Sequence, residues 1–380
     1  MKVYLDNAAT TKLDEEVLKA MMPLLLEDFG NPSSIHAFGR KTRSAIENAR
    51  KTVAKMLNVT PAEIFFTSGG TEADNMAITQ SVEKFGITHV ISSSIEHHAV
   101  EHTIKVLEKT GKIKASWVKI DKKGNVDLNN LEELLKNNPR SLVSLMHANN
   151  EIGTLLPIKE VGELCEKYNA VFHSDTVQTM GHYPIDLKDI KVHFIACAAH
   201  KFHGPKGVGF LYINHLHKIS PFIHGGAQER NMRGGTENVA GIVGLAKALE
   251  ICFNEMYEHQ KHIMGLKDYM REQLIQNIPD VAFNGETAHE KSLYTVLNCC
   301  FPNHPDAEMV LFNLDISGIA ASGGSACSSG SNQGSHVLRG LGIDMERPSV
   351  RFSFSKYNSK EEIDFVVKKL VDIFQVKVHA

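Results

Sequence analysis

The chain has 380 residues, enough for one large domain with a smaller one or for two comparable ones. Hydrophobic residues make up 42% and charged residues 22%, and 41 Lys and Arg against 44 Asp and Glu leave a formal net charge of -3 without a basic block. That balance is ordinary for a soluble globular protein and excludes an electrostatic case for binding nucleic acid or an anionic membrane surface. No apolar run reaches the roughly eighteen residues of a membrane span, and MKVYLDNAATTKLDEE lacks the apolar core of a signal peptide. The six cysteines, Cys165, Cys197, Cys252, Cys299, Cys300 and Cys327, form no C-x-x-C pair. A reducing cytoplasm is therefore expected, and a disulfide framework is not.

Along the chain, GRKTRSAIENARKTVAKML comes first, with Ala45, Ile46, Ala49, Val53, Met56 and Leu57 at helical spacing. Seven apolar, β-branched runs follow: EIFFTS (63–68), HVISSS (89–94), KASWVKI (114–120), SLVSLMHA (141–148), AVFHSD (170–175), VHFIACA (192–198) and GVGFLYI (207–213). Amphipathic stretches separate most of them, which predicts βαβ units and a mostly parallel sheet covered on both faces. FLYI follows VHFIACA so closely that an antiparallel strand is expected there. A long helical pattern from about Val239 to Gln276 breaks the rhythm. After it come YTVLNCCF, the helical HPDAEMVLFNLD, a Gly/Ser stretch, SHVLRGLG, SVRFSFS and a last helix around EEIDFVVKKLVDIF. The fold class expected is α/β: a large domain over 15–255, and a smaller α+β domain from 1–14 and 256–380. The smaller one carries the segment 320–335.

Polar runs stand directly after five strands: SGGTEADN, EHH, NNEIGT, SDTVQ and HKFHGPKG. Ligands of open α/β sheets bind at the carboxyl ends of the strands, so these runs are expected to converge on one pocket. Lys201 at the end of a buried strand is either a lysine that reaches solvent or one that loses its proton readily and forms Schiff bases. Asp175, at the end of another strand, is either a helix cap or the carboxylate that a pyridinium nitrogen requires. The small residues and hydroxyl of SGGT, opening a helix, suit a phosphate held on backbone N–H groups. GPKG lacks the full spacing of a nucleotide-binding P-loop. His98 and His102 lie i, i+4 on a helix, but no third ligand stands at a familiar spacing, so no resident metal is expected there. His97, just after a strand, offers a flat face for a planar cofactor. Cys299 and Cys300 are vicinal in an apolar strand and read as packing. AASGGSACSSGSNQGS (320–335) differs: one thiol, Cys327, stands among residues that bury little and are costly to order, so the composition predicts a mobile segment.

Taken together, YLDNAATT, GNPSSIHAFGR, FTSGGTEADN, EHHAV, MHANNEIG, SDTVQ, AAHKFHGPKGVGFLY, RGGTENVAGIVG, SGGSACSSG and VRFSFS resemble the cysteine desulfurases of the NifS-like group. These are class V aminotransferases, pyridoxal phosphate (PLP) enzymes of fold type I, and the resemblance runs in order over essentially the whole chain. It implies that Lys201 carries PLP covalently, that Asp175 serves the pyridinium nitrogen and that His97 stacks on the ring. Asn150 and Gln178 would bond the ring hydroxyl region, and Gly70, Thr71 and His200 would serve the phosphate. Thr236 would reach the phosphate of a neighbouring subunit, implying a homodimer. Arg351 would clamp the substrate carboxylate, as a bidentate guanidinium can, with Asn31 close to the substrate. Two positions depart from the family pattern. Ala198 stands where a phosphate-binding serine is usual, and SFSK at 353–356 replaces a commoner Gly-Arg ending.

The implied activity is removal of sulfur from L-cysteine. Lys201, freed by the substrate amine, would take the Cα proton, and Cys327 would attack the substrate sulfur, giving L-alanine and an enzyme persulfide. The sulfur would then pass to an acceptor, an iron–sulfur scaffold protein, with which Cys327 could share a transient cluster. A selenocysteine lyase or another class V aminotransferase keeps the fold and changes the chemistry; an aminotransferase, however, needs no mobile thiol. A catalytically silent binding protein would not need Lys201, Asp175 and Cys327 together.

Overall fold

The computed structural model of the protein describes residues 1–304, 307–323 and 334–374, so Cys327 lies outside the described residues. The described strands, in chain order, are β1 (Val3–Tyr4), β2 (Ile64–Thr67), β3 (His89–Ser92), β4 (Lys114–Trp117), β5 (Leu142–Ser144), β6 (Val171–Asp175), β7 (Phe194–Ala198), β8 (Gly209–Ile213), β9 (Ala282–Asn284), β10 (Val296–Cys300), β11 (Ile319–Ala320) and β12 (Ser349–Ser353). Seven of them form one sheet in the order β2-β8-β7-β6-β5-β3-β4. Its neighbours are parallel except where β8 lies antiparallel between β7 and β2.

The strands of this sheet are apolar at successive positions because both faces are covered. Ile195, Cys197, Phe210 and Tyr212 join a core with Ile46 and Val53 of the helix Ala37–Met56 and Leu245 and Leu249 of the helix Val239–Asn254. Their sequence neighbours Phe194, Ala196, Leu211 and Ile213 enter a separate core with Ala73, Met76 and Ala77 of the helix Gly70–Phe85. Each βα connection thus returns its loop to the same edge, where β2, β3, β5, β6 and β7 all end.

A second sheet, β12-β10-β9, is antiparallel. Leu297, Cys299, Val350 and Phe352 bury their side chains against Met270 of the helix Met256–Asn277 and Val366 and Leu370 of the helix Lys360–Phe374. Cys300, although it faces away from that core, is also buried. β1 pairs with β11, Val3 against Ile319, so residues 3–5 pack with the carboxyl-terminal part of the chain. The single long helix expected over 239–276 is two helices that meet at Glu255, whose φ of -109° and ψ of 9° leave the helical region. The first belongs to the core of the large sheet and the second to that of the small one, so the break redirects the chain between them. Among the described residues, no helix is long and apolar enough to cross a membrane.

Candidate active site

The five polar runs meet. A cavity of about 220 Å³ is lined by Gly70 and Thr71 after β2, His97 after β3, Asn150 after β5, Asp175 and Gln178 at the end of β6, and Ala198, His200 and Lys201 at the end of β7. Ala8, Ala9, Asp74, Met146, Val177 and Arg351 complete the wall.

Lys201 follows β7 directly, and its Nζ donates to the carbonyls of Ala8 and Ala9 at 2.5 and 2.9 Å. Asp175 ends the neighbouring β6 and accepts the Val177 N–H at 2.9 Å. Burial pushes its carboxyl up to about 6, against the pull of that N–H and of the Lys201 charge. Behind it, burial and then the Asp175 charge raise Asp74 well above the carboxylate range. Burial raises Glu96 likewise, against the Met146 N–H, with Asp175 adding to the rise. Asp74 Oδ1 lies 3.3 Å from His173 Nε2, yet neither atom completes a hydrogen bond. A positive centre near Asp175 would relieve this crowd of acids.

His97 caps the helix His98–Lys109, its Nδ1 accepting the Ala99 N–H at 3.2 Å. Burial first, then the Lys201 charge, lowers it to about 4, so the ring facing the cavity is neutral at pH 7. His200, likewise lowered to about 4 by burial and then by Lys201 and Lys206, holds Thr10 Oγ1 through Nδ1 at 3.2 Å. The helix Gly70–Phe85 opens after Gly69, which offers no side-chain cap, so its first N–H groups point to whatever occupies the cavity. Backbones crowd here: a Cβ on Gly209 would stand 2.1 Å from Cys197 O and 2.9 Å from Gly69 Cα. Only glycine lets β8 lie this close to the turn.

Arg351 comes from β12 in the other sheet and is buried. Its terminal nitrogens donate to Asn150 O at 2.9 Å and Asp6 Oδ1 at 2.8 Å, while its Nε has no acceptor. The unusual SFSK ending does not disturb it, because Lys356 pairs with Asp14 at 2.7 Å instead. Gln178 Nε2 donates to Ala8 O at 3.1 Å.

Two expected residues stand elsewhere. Asn31 is exposed before the helix Ala37–Met56 and uses its side chain to accept the Ser33 N–H at 2.9 Å. Thr236 lines a separate cleft of about 190 Å³ with Ser68, Gly207 and Arg233. Asp6, Ala8, Ala9 and Asp74 join the site without a role expected from the sequence. YLDNAATT carried the first three as a motif, but two of them act through main-chain carbonyls, which side-chain chemistry does not announce.

This donor set fits PLP: an amine for the aldehyde, a buried acid for the ring nitrogen, a neutral aromatic ring and an uncapped helix start for the phosphate. Ala198 lines the cavity without a hydroxyl, leaving Thr71, His200 and the helix N–H groups for that end.

The class-V aminotransferase family model matches residues 3–366. A cysteine desulfurase IscS of Dictyoglomus turgidum is 44% identical over 378 residues, covering 98% of this chain and 95% of that protein. Among solved structures, a NifS-like protein superposes with a TM-score of 0.91 at 39% identity, over 98% of this chain and 99% of its own. SspA in complex with cysteine does so with a TM-score of 0.80 at 31% identity, over 94% of this chain and 100% of its own.

Proposed function

The chain belongs to the class-V aminotransferase family and is a cysteine desulfurase with PLP as its cofactor, and from that premise we propose how its residues perform the reaction. The carrying observation is that Lys201, Asp175, His97 and Arg351 border one cavity, drawn from two different sheets. PLP, when bound, supplies the sink for the electrons left as the substrate Cα proton departs. Lys201 would hold the cofactor, and its amine, when free, would take that proton. Its two acceptors, Ala8 O and Ala9 O, give the free amine a resting place. Asp175 would offer its charge to the ring nitrogen, His97 would cover the ring face, Gln178 and Asn150 would border the hydroxyl side, and Gly70, Thr71 and His200 would take the phosphate. Arg351 receives the substrate carboxylate.

Cys327 is the nucleophile. Its thiolate bonds to the sulfur of L-cysteine as the Cβ–S bond breaks, and the bonding pair stays on Cβ, which is later protonated. The balance is L-cysteine plus enzyme thiol giving L-alanine plus enzyme persulfide. The other five cysteines support this by elimination. Each is buried, and burial raises every one of their thiols, Cys252 to about 12, which leaves little thiolate at neutral pH.

The substrate is L-cysteine, in keeping with the SspA relative, whose structure is a complex with cysteine. We assign sulfur delivery to an iron–sulfur scaffold protein, residues 15–255 to the cofactor-holding unit, and 1–14 with 256–380 to the second. A homodimer fits two observations. Leu25, Leu26, Phe29, Ile35 and Phe38 leave apolar side chains exposed on and after the helix Glu15–Leu26. Thr236 does not line the cavity of its own chain, as service to a neighbouring subunit requires. Five unpaired buried cysteines fit a reducing cytoplasm.

One assay tests the reading. The holoenzyme given L-cysteine and a thiol reductant should yield alanine and sulfide in equal amounts, and Cys327→Ser should bind cysteine yet release neither. After borohydride reduction and digestion, the pyridoxyl group should sit on Lys201. Alanine release by Cys327→Ser, or label on another lysine, overturns the assignment.

A further inference from the structure

Beside the cavity, and sharing none of its lining, lies a cluster of metal-ligand side chains. The helix His98–Lys109 presents His98, Glu101 and His102 at i, i+3 and i+4, on one face. The short helix His336–Gly340, which follows the 320–335 segment, brings His336 against that face, its ring centroid 4.3 Å from that of His98. One ligand atom from each of His98, Glu101 and His336 lies within 4.8 Å of the other two.

The surroundings of these atoms are prepared. His98 Nδ1 stands 3.3 Å from Glu101 Oε2, while Lys105 occupies the other oxygen, Oε1. His336 Nε2 lies 2.8 Å from the main-chain carbonyl of Glu96. As the donor to that carbonyl, Nε2 carries the ring proton and leaves Nδ1 with a free lone pair, the arrangement that orients ligating histidines. His102 stacks on His98 at a centroid distance of 4.5 Å, with its Nε2 3.7 Å from Glu101 Oε2, at the solvent edge.

We propose that His98, Glu101 and His336 bind a divalent transition-metal ion of the zinc class, with His102 or water in the fourth position. Imidazoles with one carboxylate select Zn²⁺ and its neighbours over Mg²⁺ and Ca²⁺, which take oxygen sets. Bonds of roughly 2.0–2.1 Å place tetrahedral ligands roughly 3.3 Å apart, so the side chains close by an ångström or so around the ion. The sequence concealed the site because His98 and His102 are local while His336 arrives from a distant part of the chain. The ion would join the helix capped by His97 to the helix that closes the segment carrying Cys327.

The test uses tag-free holoenzyme, stripped with chelator and dialysed against zinc chloride, with bound metal measured by plasma mass spectrometry and affinity by competition with a chromophoric chelator. The expected result is about one Zn²⁺ per chain, with roughly tenfold or more weaker binding in His336→Gln and in His98→Gln, and native binding in Cys327→Ser. Circular dichroism and the cofactor absorbance establish that each variant is folded. If His98→Gln is not folded, His336→Gln decides alone, since the half-buried His336 ring opens a helix of only five residues. Substoichiometric zinc in the native enzyme, native affinity in folded His336→Gln, or loss of zinc in Cys327→Ser overturns the proposal.

Discussion

Arg351 is 1% exposed and keeps one N–H without an acceptor. A buried donor in that state costs on the order of 1–3 kcal/mol until something satisfies it, and the substrate carboxylate proposed for this site would do so. Arg351→Ala should keep the cofactor colour and lose about 2–4 kcal/mol of cysteine binding, read from a spectral titration. Arg351→Lys should recover only part, since an ammonium has no fork; near-native affinity in the alanine variant would locate the clamp elsewhere. Asp175 makes a second test possible. In the cofactor-free protein its pKa is raised from 3.8 to about 6, chiefly by burial. The folded chain therefore holds a proton over that window that the unfolded chain has released, and stability falls as the pH rises through it. Cofactor-free Asp175→Asn should melt above the native protein beyond about pH 6, with the gap closing toward pH 4. A gap that widens on acidification would contradict this. Lys201, Asp175 and His97 were legible as candidates because each stands where the apolar run of a strand gives way to polar residues. Asp6 and Asp74 were not, because their partners Arg351 and His173 meet them only through the tertiary fold.

At the scale of elements, periodicity revealed most strands and their alternation with helices, and the hairpin-like reversal at β8 was legible from its short connection. The position of β2 was not: it lies at the sheet edge beyond β8 because crossovers, not local pattern, set strand order. Nor was the break at Glu255 visible, since no Pro or Gly marks it and the two helices separate only to serve two cores. At Gly209, β8 lies close against both β7 and the turn before the helix Gly70–Phe85. Gly209→Ala sets a methyl group against Cys197 O and Gly69 Cα. Both obstacles are backbone, so the strand itself must shift, at a cost of about 1–3 kcal/mol. Denaturant unfolding should show that loss. A cofactor dissociation assay should also show faster release, because the displaced Gly69 precedes the uncapped helix start proposed to take the phosphate.

For the molecule as a whole, the exposed apolar residues around the helix Glu15–Leu26, with Phe29 74% and Ile35 86% exposed, predict burial against a second copy. Leu26→Glu with Ile35→Glu should turn a sedimenting dimer into a monomer and weaken cofactor retention, if Thr236 acts across the interface. A double variant that still sediments as a dimer would move the interface to another face. The pairing of β1 with β11, and the contact of Asn7 Nδ2 with Ser353 O across 346 residues of sequence, carry a consequence for biogenesis. The wall that receives Lys201 leaves the ribosome early, yet its anchoring strands emerge only near the end of synthesis. A nascent chain can therefore complete the large sheet and still have no closed seat for its cofactor, and pulse-labelled PLP should first be retained only by chains long enough to include β12.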